Sequence, residues 1–533
     1  MRKIFIGCVI AIVGLSVLAA FIAPVLLWAW VLLGPLLVLG LYDYTQSQHA
    51  VLRNFPLIGH FRYLLEMIRP EIYQYFIESD TDGMPFDREE RSLVYQRAKR
   101  ERDTVPFGTK DDVYAVGYEW VNHSIAPIHV EPTDMRITVG GPDCKQPYSA
   151  SILNISAMSY GSLSQNAIMA LNQGAEMGNF AHNTGEGGLS PYHLSGGGDL
   201  IWQIGTGYFG CRAADGTFSP ERFADNAEHP QVKMIELKLS QGAKPGHGGI
   251  LPAAKLTQEI ASIRGVPMGQ DVLSPPGHSA FSTPIELLEF IAELRQLSGG
   301  KPVGFKLCVG KRREFLAICK AMAATGITPD YIAVDGGEGG TGAAPLEFTS
   351  RMGAPLIEGL MFVHNALVGF ALRDRIRVFA GGKITTGFGM VKRLALGADA
   401  CYSARGMMFA LGCIQALRCN SNHCPVGIAT QDPQLTAGLV VTAKNVRVAN
   451  FHRETLHSVC EIIGAMGISH PAKLRRWHIM RRISPTEVRH YGQIHDYLKK
   501  GALLCEPLPS TYKRAYEAAS AQTFAHAVTA RKA

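Results

Sequence analysis

Cys413, Cys419 and Cys424 fall within the twelve residues from Cys413 to Cys424, in the order Cys-x5-Cys-x4-Cys-Pro. Uniform scatter of the chain's cysteines would place only about 0.25 of one in such a window, so the spacing calls for a chemical cause. Closely spaced thiolates on a loop suit an iron-sulfur cluster, because soft sulfur ligands must converge on one point. Three ligands instead of four leave open a three-iron cluster, a four-iron cluster with a non-cysteine ligand, or a fourth cysteine from elsewhere. Zinc held by the same three thiolates and His423 is the other reading of this segment. The remaining cysteines, Cys8, Cys144, Cys211, Cys308, Cys319, Cys401, Cys460 and Cys505, are irregularly spaced and read as small buried hydrophobes in a reducing compartment.

A second set of residues points to an anionic, electron-accepting ligand. Lys238 and Lys306 each stand inside an apolar run of strand type, where an ammonium without a partner is costly to bury. The electron-poor ring of a flavin, which gains negative charge on reduction, is one such partner, and a structural carboxylate is the other. Gly381-Gly382 and Ser403-Ala404-Arg405-Gly406 lie after the last two strand-like runs, where backbone N–H groups can approach a phosphate. Either glycine segment alone is more often a turn, and only the two together at the strand ends bring the phosphate reading level with it.

These residues need a frame that brings loop ends together. From Ile152 the pattern alternates short β runs with longer helical stretches, at Ile152–Ser156, Phe180–Asn183, Val232–Leu239, Val272–Ser274, Val303–Val309, Tyr331–Asp335, Val378–Gly381 and Ala400–Ser403. Eight such runs predict an α/β protein, a (β/α)8 TIM barrel over residues 151–430 whose chemistry sits on the loops that follow the strands. Before it, residues 4–41 contain no charged side chain. As one helix they would extend about 57 Å against a hydrocarbon core of about 30 Å, so with Pro24 near the middle they predict a two-helix transmembrane hairpin over residues 1–41. Arg2 and Lys3 favour a cytoplasmic start, hence a catalytic body on the cytoplasmic side of the inner membrane. Ala19-Ala20 leaves a cleaved signal peptide as the alternative.

Residues 42–150 read as a helical collar and linker, and 431–533 as a helical, basic C-terminal segment. The 533-residue chain has a net charge of +7, and the stretch from Glu461 onward holds 12 Lys and Arg against 5 Asp and Glu, so this tail carries the whole excess. Arg475, Arg476, Arg481 and Arg482 would either face solvent or lie against an anionic leaflet. No interleaving of basic and aromatic residues points to nucleic acid.

Taken in order, Ser156-Ala157-Met158-Ser159-Tyr160-Gly161, Asn183-Thr184-Gly185-Glu186-Gly187-Gly188, Gln241-Gly242-Ala243-Lys244-Pro245-Gly246, Ser274-Pro275-Pro276, Gly339-Gly340-Thr341-Gly342-Ala343 and Cys413-x5-Cys419-x4-Cys424-Pro425-Val426-Gly427 resemble the FMN-binding domain of glutamate synthase. The likeness spans about residues 100–470, and the chain as a whole is similar to the shorter bacterial FMN-binding glutamate synthase family proteins. The resemblance implies FMN on the barrel, held around Ser156, Ala157, Met158, Ser159, Lys238, Lys306, Gly381, Gly382, Ser403, Arg405 and Gly406. It also implies a 3Fe-4S cluster on Cys413, Cys419 and Cys424, and a 2-oxo acid site at Gln241, Lys244, Arg264 and Glu186. The expected function is transfer of electrons from an iron-sulfur cluster through FMN to the imine of a 2-oxo acid, making glutamate from 2-oxoglutarate and ammonia. The donor would be a ferredoxin or a reductase subunit.

Two departures qualify the substrate: His247 stands where the family has Glu after Lys-Pro-Gly, and Gly337-Glu338 where it has His-Asp. The roughly 150 residues ahead of the barrel leave no room for the family's glutaminase, so ammonia is expected free or from a partner. The alternatives are a different FMN-dependent amino-acid or amine oxidoreductase and a non-catalytic electron-transfer subunit.

Overall fold

The computed structural model describes residues 1–101 and 103–526, divided into two compact units, Met1–Arg88 and Glu89–Ala533. In the first unit, helix Arg2–Ile22 ends just before Pro24, a 3-10 turn runs over Pro24–Ala29, and helix Trp30–Thr45 follows. The stretches Arg2–Ile22 and Pro24–Thr45 are each long and apolar enough to cross a membrane. The Trp30 indole donates to Ser16 Oγ at 2.8 Å, and Gly40 leaves room for the Phe5 ring, which a Cβ there would meet at 2.5 Å. At the end of the second arm the buried carboxylate of Asp43 accepts the Leu57 N–H at 3.0 Å and contacts His60 Nε2 at 2.9 Å.

The second unit is built on a closed, all-parallel eight-stranded barrel. Its strands are β1 Leu153–Ile155, β2 His182–Asn183, β3 Leu200–Ile204, β4 Val232–Lys238, β5 Val303–Cys308, β6 Tyr331–Asp335, β7 Arg377–Gly381 and β8 Ala400–Ser403, with β8 pairing β1 to close the ring. The α/β barrel expectation holds, with one strand exchanged. Val272–Leu273, expected as the fourth strand, pairs antiparallel with Ile250–Leu251 in a small ribbon outside the barrel. The strand that fills the ring is Leu200–Ile204. It follows β2 after only the one-turn helix Pro191–Leu194, so no long helical period announces it. The residues between β4 and β5 instead make an excursion that carries the ribbon, a 3-10 turn Ala253–Lys255 and helix Gln258–Arg264.

The barrel interior is layered by polarity. At its lower end a hairpin, Arg136–Val139 with Tyr148–Ser151, brings Val139, Tyr148 and Ala150 against Ile201, Met234, Tyr331, Phe379 and Tyr402 in one apolar cluster. Above it the fully buried Glu236 accepts hydrogen bonds from Asn183 Nδ2 at 2.8 Å, Gln203 Nε2 at 2.7 Å and Tyr402 OH at 3.0 Å. Three donors offset the cost of burying that carboxylate. The next inward position of β4 is Lys238, in register with Lys306 of β5.

Around the barrel, the 25-residue helix Val441–Ala465 packs along helix Gln165–Gly178. The C-terminal segment also contains strands Ile479–Arg482 and Val488–His490, which form a three-stranded antiparallel sheet with Glu119–Val121 of the linker. Glu119 gathers Arg481 Nη1 at 3.0 Å, Lys392 Nζ at 2.5 Å and the Tyr491 hydroxyl. Arg475 donates to the carbonyls of Ala472 and Leu474, Arg476 lies 3.5 Å over the Tyr497 ring, and Arg482 donates to Val113 O. The tail arginines are thus engaged within the fold.

Candidate active site

The residues expected to carry chemistry converge where parallel strands end. Ser156, Ala157, Met158 and Ser159 leave β1, and the Ser156 N–H donates to Ser403 O at 3.0 Å, so the first and last strand ends are stitched together. Gly185, after β2, lies so near that chain that a Cβ would stand 2.7 Å from Ser159 N. Glu186 comes next, and its Oε1 takes the Lys238 ammonium at 2.7 Å. Lys306 meets Asp335 Oδ2, at the end of β6, at 3.4 Å. Both inward lysines therefore have carboxylate partners. The sequence places Asp335 in a chemistry-bearing loop at a strand end and allows Lys306 a carboxylate partner, but the pairing of the two shows only in the fold, because they lie on different strands.

Burial depresses the Lys306 ammonium, but Asp335, Glu236 and Glu186 outweigh it and hold the group above its usual pKa. Glu186 shows the converse: burial alone would raise it, yet Lys238, Lys244 and Arg264 keep it below the ordinary carboxylate range. Lys244 is different. Burial lowers it to about 8, Glu186 pulls it up, and Lys238 pushes it further down. Its Nζ donates to Ala343 O at 2.8 Å, which ties the loop after β4 to the loop after β6. Gly242 lets the two loops touch, since a Cβ there would stand 1.8 Å from Gly336 O, and its N–H donates to Asp335 Oδ2 at 2.9 Å. Gln241 is half-buried beside it. His247 contacts Gly248 O through Nδ1 at 3.0 Å and sets its ring edge-on to Phe348, 5.3 Å between centroids.

Arg264 ends the excursion helix Gln258–Arg264 and is buried. Its Nη2 donates to Tyr160 O at 3.1 Å and the guanidinium lies 5.1 Å over the Phe209 ring, while Nε is buried without a hydrogen-bond partner. Burial lowers it to about 10 against the pull of Glu186. A buried guanidinium with a donor to spare is suited to grip a carboxylate.

The two glycine segments lie side by side. A Cβ on Gly381 would meet Asp335 Oδ1 at 2.9 Å, and one on Gly406 would meet Ser403 Oγ at 2.5 Å and Ile384 O at 3.0 Å. Ser403 Oγ donates to Ile384 O at 2.6 Å, and Arg405 Nη2 to Glu338 O at 2.9 Å. Gly382 and Lys383 both have positive φ, 155° and 47°. Strand ends of β7 and β8 closed by small residues beside one arginine form a cradle of phosphate type.

The cysteine segment follows directly on helix Arg405–Leu411. Gln415, Leu417 and Asn422 all take left-handed φ of 55° to 64°, which folds the loop back on itself. The Cys413 thiol accepts the Gln415 N–H at 3.4 Å, and burial pushes it up to about 12, with Cys419 and Cys424 adding to the rise. Burial and Cys424 likewise raise Cys419. The three thiols thus feel one another, and their donor chemistry fits a soft metal centre. Among the described residues no three His, Cys, Asp or Glu side chains are gathered tightly enough to hold a single metal ion. Lys255 stands beside them, and sequence reasoning passed over it, since no motif marks it. Helix Arg88–Lys99 also abuts this region, with Tyr95 OH donating to Cys413 O at 2.6 Å and Thr385 Oγ1 donating to Glu90 Oε1 at 3.1 Å.

Residues 134–469 match the conserved region in glutamate synthase. The chain is 37% identical over 523 residues to the glutamate synthase large subunit-like protein YerD of Bacillus subtilis, covering 90% of this chain and 97% of that protein. It is 36% identical over 321 residues to an archaeal-type glutamate synthase [NADPH] of Thermotoga neapolitana, 60% of each chain. Among solved structures, mandelate oxidase aligns with a TM-score of 0.41 at 15% identity, over 81% of this chain and 99% of that one. The order of motifs, the barrel that gathers them and the match across 134–469 make this chain a member of the glutamate synthase family of oxidoreductases.

Proposed function

We propose that the protein is a membrane-anchored, FMN- and iron-sulfur-dependent oxidoreductase that reduces the imine of a 2-oxo acid, with 2-oxoglutarate and ammonia giving glutamate as its reaction. The observation that carries this reading is Arg264. It is a buried guanidinium with an unpartnered Nε, and like Lys238 and Lys244 it lies near the Glu186 carboxylate. A carboxylate seated there would be gripped by Arg264 and placed beside Lys244, whose pKa of about 8 leaves it mostly charged at neutral pH.

FMN, when bound, supplies the two-electron chemistry. Ser403, Arg405, Gly381, Gly382 and Gly406 would hold its phosphate, and Ser156 to Ser159 would line the ring. Lys238 and Lys306 would supply positive charge to the ring, which becomes negative on reduction. Their carboxylate partners keep the local charge near balance beforehand, so the lysines are already positioned when negative charge arrives. Cys413, Cys419 and Cys424 would hold a 3Fe-4S cluster fed by a ferredoxin or a reductase subunit. The helices Arg2–Ile22 and Pro24–Thr45 would anchor the body on the cytoplasmic side of the inner membrane, with nitrogen arriving as ammonia or from a partner.

His247 favours a second reading, a different amino-acid or amine oxidoreductase. An imidazole against Phe348 makes that wall less acidic than a glutamate would, which alters the class of substrate admitted. The test is stopped-flow reoxidation of the reduced flavin against a panel of 2-oxo acids with and without ammonium. Reoxidation by 2-oxoglutarate only when ammonium is present supports the main reading. Flavin reduction by an amino acid supports the second, and silence in both assays leaves an electron-transfer subunit.

A further inference from the structure

Lys255 is 3% exposed, yet among the described residues it makes no ion pair with a carboxylate. Its ammonium donates to Ser162 O and, at 3.3 Å, to Cys419 O. The titratable groups nearest to it are the thiols of Cys419 and Cys424 on one side and the Arg264 guanidinium on the other. The adjoining residue completes a second tie, with Asn422 Nδ2 donating to Ala254 O at 3.0 Å. The 3-10 turn Ala253–Lys255 is therefore clamped to the cysteine loop at two points, and the helix that begins three residues later ends in Arg264.

A buried ammonium satisfied only by carbonyls remains an uncompensated charge. Lys238 and Lys306 in the same unit each have a carboxylate, whereas Lys244 and Lys301, like Lys255, donate to backbone carbonyls, and what sets Lys255 apart is its contact with the cysteine loop. The groups near Lys255 that become anionic on binding a metal are the thiols of Cys419 and Cys424. Metal-bound thiolates carry permanent negative charge, and the charge around a cluster sets its reduction potential.

We propose that Lys255 is the positioning residue and counter-charge of the cysteine centre, balancing the thiolates of Cys419 and Cys424 and holding their loop to the segment that ends in Arg264. A cation beside the centre favours its more negative, reduced state, so removing the cation lowers the potential. This inference rests on the reading of Cys413, Cys419 and Cys424 as ligands of an iron-sulfur cluster.

The test uses the full-length purified protein with Lys255→Gln, which keeps donors for both carbonyls and removes only the charge, and with Lys255→Arg, which keeps the charge. Iron and sulfide per flavin are measured chemically, and the midpoint potential by titration monitored by electron paramagnetic resonance. The expected result is a more negative potential in Lys255→Gln, or several-fold loss of iron with flavin retained, and recovery toward wild type in Lys255→Arg. Wild-type iron content and potential in Lys255→Gln would overturn the proposal, as would equal iron loss in both variants with flavin intact, which would make shape and not charge the requirement. Wild-type protein with flavin but no iron fails the cluster reading itself, a result distinct from either.

Discussion

Two buried cationic regions lie close together in this protein, and they are solved in opposite ways. At the mouth of the barrel, Lys238 and Lys306 are neighbours in register, and each is met by its own carboxylate, Glu186 or Asp335. Under the cysteine loop, Lys255 has carbonyl oxygens and thiols around it and, among the described residues, no carboxylate. The first region is balanced by the protein's own side chains, so a ligand there must compete with existing pairs or exploit the group left over, Arg264. The second would reach balance through metal-bound thiolates. A region paired internally is built to hold its shape while charge arrives, whereas one left unpaired is built around the charge of what it binds.

The largest expected effect breaks the second region. Cys419→Ser should lose iron and sulfide almost completely while FMN content stays near wild type, because the glycine cradle at Gly381 and Gly406 is separate from the thiols. Iron, sulfide and flavin assays check this, and full iron in the mutant, or zinc in the wild type, sinks the cluster reading. Breaking the first region should cost stability instead: Glu186→Leu strands Lys238 in a buried setting and should destabilise the fold by about 3 to 5 kcal/mol in chemical denaturation. A loss below about 1 kcal/mol would show that solvent reaches that pair and screens it.

Smaller still is the effect of the group the first region leaves over. Arg264→Gln should weaken binding of a dicarboxylic 2-oxo acid by about 1.5 to 3 kcal/mol, roughly 10- to 150-fold, read from flavin absorbance changes on titration. Unchanged affinity would remove Arg264 from the substrate site. The mildest test is pH. Lys244 has a folded pKa of about 8, below its ordinary value, so its charge is present below pH 8 and lost above it. Affinity for an anionic substrate should therefore decline as pH rises through about 8, and Lys244→Arg should push that decline to higher pH. The same depression means Lys244 costs stability below pH 8, and the cost is relieved as pH climbs toward the unfolded value near 10.5. A binding curve that is flat from pH 7 to 9.5 would show Lys244 does not meet the ligand.

Local pattern determined a good part of this protein. The break at Pro24 between two apolar arms, seven of the eight barrel strands, the glycine segments after β7 and β8, and the grouping of Cys413, Cys419 and Cys424 all follow from residue type and spacing. Each depends on neighbours a few residues away, so it is legible before folding. What only the tertiary structure decided depends on groups far apart in the chain. Leu200–Ile204 and Val272–Leu273 are both short apolar runs, and ring closure alone selects which one joins the barrel. Lys238 finds Glu186 and Lys306 finds Asp335 because parallel strands deliver their ends to one face. Lys255 carries no motif at all, and it becomes informative only once folding buries it beside Cys419 without a carboxylate. The energetic cost of a buried charge is set by what surrounds it in space, and sequence order does not record that surrounding.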